Sequence, residues 1–178
     1  MKATHDYIVP AKSWDQIGLA AEEVRRLLHV ERTPYFPVVD IIESVLDNQL
    51  GLLSFEIDPE EEMGEAEGYT APDGSLIILR EDVYVAACNG EARARFTSAH
   101  ELGHWFMHTN IPLARAPSRG AKPYRLAEPQ ANAFAAEILM PRRFVTSADT
   151  VATIMARHGV SAEAATNRIK FLKNKGII

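Results

Sequence analysis

The residues of this chain best suited to chemistry are His100-Glu101-Leu102-Gly103-His104, inside the run EARARFTSAHELGHWFMH. On a helix, residues four apart lie one turn apart on one face, so His100 and His104 present two imidazoles side by side. Ring nitrogens so placed can reach one Zn2+ at about 2.0–2.1 Å each. Glu101 follows the first His and points to one flank of that face, where it can take a proton from a metal-activated water without being a ligand. H-E-x-x-H on a helix is therefore a pattern for metal-assisted hydrolysis of a peptide bond, with the Glu as general base. With 6 His and 16 Glu in 178 residues, chance alone yields such a pentapeptide with a probability on the order of 1–2%. The bland alternative is a solvated helix, so the surroundings must decide.

Those surroundings predict a helix from Gly90 to about His108, with Asn89 as N-cap and Glu91 favourably placed in the first turn. Phe96, Ala99, Leu102, Phe106 and Met107 give it apolar surface to bury. A buried His-Glu-His triplet is costly unless a metal or a hydrogen-bond network satisfies it. Gly103 costs about 1 kcal/mol relative to Ala in a helix, which points to another element packed closely against it. His108 continues the line of imidazoles but lies about 12 Å along the axis from His100. It is expected beside the ligands as an outer partner, not on the metal.

A second helix, in RLAEPQANAFAAEILMP, offers two carboxylates as third ligand, Glu128 and Glu137. Glu128 is preferred. Asn132 lies one turn after it and can accept the free N–H of a ligand His, fixing its tautomer. Glu137 sits among Ala135, Ala136, Ile138 and Leu139 and reads as a structural ion pair. The connection 109–124 carries Pro112, Pro117 and Pro123 with Arg115, Arg119 and Lys122, and is long enough to border a substrate groove. His108, Tyr124 and Arg125 are the weak candidates for stabilising an oxyanion.

The remaining elements form a scaffold. Residues 13–29 read as an amphipathic helix with a Ser13/Gln16 capping box. A second helix is expected from Val38 to Asn48, and a strand over 50–57. An acidic loop follows, without the spacing of a calcium loop. Two strands, 68–70 and 75–79, join through Pro72-Asp73-Gly74. Leu76, Ile77 and Ile78 are the expected substrate-binding edge, on which an extended peptide adds as a strand. Near the C-terminus, helices 148–158 and 161–174 resemble a helix-turn-helix with a basic end of Arg168, Lys170, Lys173 and Lys175. Ile169, Phe171 and Leu172 need burial, which favours packing on the core or on a protein partner over reading DNA. The fold class is α+β: a small antiparallel or mixed sheet packed on the motif helix, with C-terminal helices. The expected division is an N-terminal helical extension (1–37), a metallopeptidase core (38–145) and a C-terminal helical segment (146–178).

Composition excludes several classes. The chain is 47% hydrophobic and 24% charged with a net charge of −5, an ordinary globular balance with no overall electrostatic case for binding nucleic acid. Its single cysteine, Cys88, cannot build a disulfide framework or a Cys-rich zinc site and is expected to be buried or half-buried. The N-terminal decapeptide lacks the apolar core of a signal peptide. No run approaches the roughly 18 apolar residues of a membrane span. A cytoplasmic location is the expectation.

RARFTSAHELGHWFMH followed by EPQANAFAAEILMP resembles the ImmA/IrrE family of zinc metallopeptidases, which are zincin-like and use a Glu as third ligand (gluzincin-like). The resemblance runs from about Val38 to the C-terminus. It implies one zinc ion held by His100, His104 and Glu128, with Glu101 as general base. It further implies a protein substrate, a helix-turn-helix repressor of the XRE kind, whose cleavage relieves repression in stress responses, mobile elements or toxin–antitoxin-like regulation. Residues 1–37 supply only one clear helix, so any such regulator is a separate chain. Two alternatives remain: a module that binds a repressor or antitoxin without cutting it, around a structural zinc, and a DNA-binding protein acting through the C-terminal helices.

Overall fold

The structure, a computed structural model, describes residues 6–115 and 120–178. It is an α+β fold in which helices pack around a buried helix pair and a three-stranded sheet lies against one side. Helix α1 (Trp14–Leu27) carries the expected capping box between Ser13 and Gln16. Helix α2 (Val38–Asp40) continues without a break as a π-helix, Ile41–Gln49. Strand β2 (Ser54–Asp58) follows, after a short N-terminal strand β1 (Tyr7–Ile8). The acidic stretch contains a single helical turn, α3 (Glu60–Met63). Strands β3 (Gly68–Thr70) and β4 (Leu76–Arg80) come next.

The sheet is mixed, in the order β2-β4-β3, with β2 parallel and β3 antiparallel to β4. This corrects one expectation. Leu76, Ile77 and Ile78 lie on the central strand, paired on both sides, and Ile77 is fully buried. A continuous apolar run is what a strand enclosed by neighbours requires. It therefore cannot supply a free edge, and that edge belongs to β3.

Helix α4 (Glu81–Cys88), absent from the sequence-based expectation, follows β4 directly. Asn89 ends α4 instead of starting the motif helix. Gly90, in the left-handed conformation at φ 82°, turns the chain, and Glu91 precedes α5 (Ala92–His108). A glycine in that conformation is a common helix stop because it carries no Cβ penalty. Cys88, at the end of α4, is exposed, contrary to expectation.

Helix α6 (Ala127–Leu139) lies directly against α5. A Cβ on Gly103 would stand 3.1 Å from Phe134 Cδ1 and 3.2 Å from the Ala131 carbonyl oxygen. The glycine is thus what lets the two helices approach closely enough to share a site. On its other side α6 packs on α1. Ile17, Ala21 and Val24 of α1 join Phe134, Ala135 and Ile138 of α6 in one core cluster. Two buried arginines bind this assembly to loop carbonyls. Arg25 donates to the Ile138 and Val30 carbonyls at 2.7 and 3.1 Å. Arg95 donates to Phe36, His158 and Gly159 at 3.0–3.2 Å.

Helices α7 (Val151–His158) and α8 (Ala162–Asn174) close the core from the C-terminal side. Arg168, only 3% exposed, is spent internally. It donates to the Met140 carbonyl at 2.9 Å and pairs with Glu137 at 2.6 Å. Glu137 also pairs with Arg142 at 2.9 Å, a structural role remote from the histidines. Among the described residues, no helix is long and apolar enough to cross a membrane.

Candidate metal centre

Helix α5 presents His100 and His104 toward the first turn of α6, where Glu128 sits. The Glu128 carboxylate bridges the two rings, with Oε2 3.2 Å from His100 Nε2 and Oε1 3.3 Å from His104 Nε2. The two Nε2 atoms are 3.0 Å apart. Among the described residues this trio is the one His/Cys/Asp/Glu group placed to hold a cation, with one ligand atom from each within 4.8 Å of the others. Burial disfavours a proton on His100. Hydrogen bonding to Glu128 and the charges of Glu101 and Glu128 outweigh it and hold His100 above the ordinary imidazole value. Contact with the two imidazoles, His100 first, keeps Glu128 far below the carboxylate range. Three electron-pair donors thus converge on one point with a surplus of negative charge, and the arrangement fits a divalent cation.

Outside this trio, Asn132 Oδ1 lies 3.0 Å from His100 Nδ1. It can accept that N–H and leave Nε2 with its lone pair facing the site. His108 is 4% exposed. Its Nδ1 is 3.1 Å from His104 Nδ1, and its Nε2 is 3.1 Å from Gln130 Oε1. Burial pushes the His108 imidazole down to about 4, so it is neutral in ordinary buffers. Both its nitrogens are engaged, which removes it as an oxyanion donor. Tyr124 and Arg125 do not line the cavity.

Glu101 is not in the ligand group. Its Oε2 accepts from Thr70 Oγ1 at 2.7 Å, and the same hydroxyl lies 3.0 Å from the Glu101 carbonyl. Strand β3 is thereby held against the motif helix. The hairpin turn is held too: Trp105 Nε1 donates to the Gly74 carbonyl at 2.9 Å, and Asn110 N to Pro72 at 2.8 Å. The cavity is about 390 Å3 and open to solvent. Its walls are Gly68–Pro72 on one side, the motif residues beneath, and Tyr7, Leu113 and Glu128 opposite.

Gly68 is required by contact. A Cβ there would stand 2.7 Å from Glu101 Cγ, closer than carbon atoms approach. Gly68→Ala is therefore expected to displace the Glu101 side chain while leaving the ligand trio intact. A misplacement near 1 Å can cost about 100-fold in rate. The check is a fall in kcat of that order at unchanged metal stoichiometry; an unaltered kcat would show that Glu101 has room to spare.

The site thus brings together His100, Glu101, His104, Glu128, Asn132 and His108, and leaves Leu76, Ile77 and Ile78 behind in the sheet. It also holds residues that sequence reasoning missed. Tyr7 lies more than 90 positions from the motif in an unremarked N-terminal stretch. Gln130 sits between Glu128 and Asn132 with no periodicity to mark it. Gly68 and Thr70 belong to a strand that the turn residues mark, but the apolar run of its β4 partner carries the stronger signal. Strand β5 (Ala114–Arg115) pairs with β1 across the mouth of the site. Pro117 and Arg119 of the proline-rich connection lie outside the described residues.

A family model described as the IrrE N-terminal-like domain, a peptidase family, matches residues 47–170. That span runs from just before β2 into α8 and contains both motif helices, whereas β1, α1 and α2 lie outside it. Comparison with curated proteins and with solved structures found no match.

Proposed function

The chain belongs to the family of IrrE N-terminal-like peptidase domains, and from that premise we propose that it is a zinc-dependent endopeptidase. Its proposed substrate is a protein, a helix-turn-helix repressor, whose cleavage relieves repression. The observation that carries the reading is the position of Glu101. A purely structural metal site needs His100, His104 and Glu128 but has no use for a second acid, outside the ligand group, held at the cavity by a threonine hydroxyl.

His₂Glu ligation suits zinc, a borderline cation that accepts nitrogen and oxygen donors in a tetrahedral site with one open position. Bound there, zinc would supply Lewis acidity toward the scissile carbonyl and lower the pKa of water near neutrality. The chain's own residues do the rest. The outer edge of β3 offers unpaired backbone groups along the cavity, on which an extended peptide can add as a strand without demanding one sequence. Glu101 takes a proton from the attacking water and returns it to the leaving amine. Thr70 orients the carboxylate and satisfies its second oxygen, so the proton-accepting atom is held in one place.

The alternative of DNA binding through α7 and α8 has less support. Arg168 is committed to Glu137 and Met140, and Arg157 to Asp149 at 2.6 Å. Incubating zinc-loaded protein with a candidate repressor and reading the products by mass spectrometry tests the proposal. Two fragments from one cut, absent when a chelator is added, are the expected result. A stable complex with intact repressor would instead establish a binding module.

A further inference from the structure

We propose that Gln130 and His108 are positioning residues of the metal centre, forming a one-way hydrogen-bond relay that fixes the tautomer of His104. The relay begins at two backbone carbonyls, one of them in the N-terminal segment. The inference rests on the metal-site reading above; it brings in Gln130 and gives the outer partner His108 a directed part.

The direction of each link follows from the one before. Gln130 Nε2 lies 3.0 Å from the Pro10 carbonyl and 2.8 Å from the Tyr124 carbonyl. A carbonyl oxygen can only accept, so both amide hydrogens are used there and the orientation of the amide is set. Its Oε1 must then be the atom facing His108 Nε2 at 3.1 Å, and that nitrogen must carry hydrogen. A neutral imidazole has one N–H, so His108 Nδ1 presents a lone pair to His104 Nδ1, 3.1 Å away. His104 Nδ1 is therefore the protonated nitrogen, and its Nε2 keeps a lone pair directed at His100 and Glu128. Gln130 is fully buried and His108 nearly so, so water does not compete for these links.

The start of the relay is held by the fold. Pro10 lies between Val9, whose N–H donates to the Arg125 carbonyl at 3.0 Å, and Lys12, whose N–H donates to the Tyr124 carbonyl at 3.1 Å. The segment also supplies Tyr7 to the cavity wall and Asp6, which accepts from the Glu128 backbone N–H at 3.2 Å. This N-terminal segment is outside the span matched by the family model, yet it reaches two of the three ligands.

Three substitutions test the relay. Gln130→Met keeps the volume and removes both ends of the amide. His108→Phe removes the acceptor beside His104, whereas His108→Asn restores an oxygen near the Nδ1 position. Loss of an outer partner of a ligand His typically costs 10–100-fold in metal affinity. Zinc affinity, measured by competition with a chromogenic chelator, is expected to fall by about that factor in Gln130→Met and in His108→Phe. The double variant should lose no more than either alone, and His108→Asn should recover most of the loss. Imidazole 15N spectra of the metal-free wild type should show hydrogen on Nδ1 of His104 and on Nε2 of His108, a signature that simple core packing would not produce. Should wild type bind zinc tightly and all the variants bind it equally well, the relay is refuted while the metal site stands. Should Gln130→Met fail to fold, the His108→Phe and His108→Asn pair and the wild-type tautomers still decide. A wild type that binds no zinc overturns both readings.

Discussion

Glu101→Gln is expected to lower kcat for peptide hydrolysis by about 100- to 10,000-fold, the usual contribution of a general base, with metal content unchanged. Glutamine has nearly the shape of glutamate and can still accept the Thr70 hydroxyl that now meets Oε2. It therefore keeps its place against Gly68, where the backbone leaves room for no displacement on that side. What it loses is the ability to take a proton. Because the proton moves only in the transition state, the loss should fall on kcat, with KM nearly constant. Steady-state rates on a cleavable peptide, with zinc stoichiometry determined on the same samples, make the measurement. Hydrolysis at the wild-type rate by the zinc-loaded variant would falsify the assignment of Glu101 as the base.

Glu128→Ala should remove both metal and activity. Among the described residues, the Glu128 carboxylate is the acid that meets both ring nitrogens, at 3.2 and 3.3 Å. Without it two imidazoles face each other 3.0 Å apart with no negative charge between them. The loss of affinity should exceed the roughly 10–100-fold typical for an outer partner. The side chain is 47% exposed and contributes nothing to the core, so the variant should fold, with thermal stability close to that of metal-free wild type. Zinc affinity itself should weaken in acid. The metal must displace the proton that Glu128 favours on His100, whose pKa is raised above the ordinary value in the metal-free chain. Affinity is accordingly greatest at pH above that value and falls as pH drops through it. A Glu128→Ala protein that retained zinc at wild-type affinity would exclude this residue from the site.

How far the sequence reached depends on the range of the interaction concerned. Local rules are sufficient for α1, where Ser13 and Gln16 satisfy each other's backbone within one turn, and for the existence of α5 and α6, whose apolar positions recur at helical spacing. They also placed His100 and His104 on one face, since a four-residue separation on a helix allows little else. Gly103 announced a close neighbour through its cost to the helix, without naming Phe134 and Ala131. The boundary between α4 and α5 was misread because Asn89 suits either end of a helix, and the left-handed turn at Gly90 decides between them.

By its own pattern, then, the sequence determined a helix carrying two histidines and an acid, and a second helix able to bring a carboxylate. Only the tertiary structure decided what surrounds them. Strand order left β3 as the edge strand beside the cavity and enclosed Leu76–Ile78, because pairing partners are chosen across the sheet and not along the chain. Glu128, Thr70, Gln130 and Tyr7 meet residues of the motif helix across sequence separations of 22 to more than 90 residues. No periodicity records such meetings. They arise when apolar faces bury against one another, and the polar groups carried along must find partners wherever that packing leaves them.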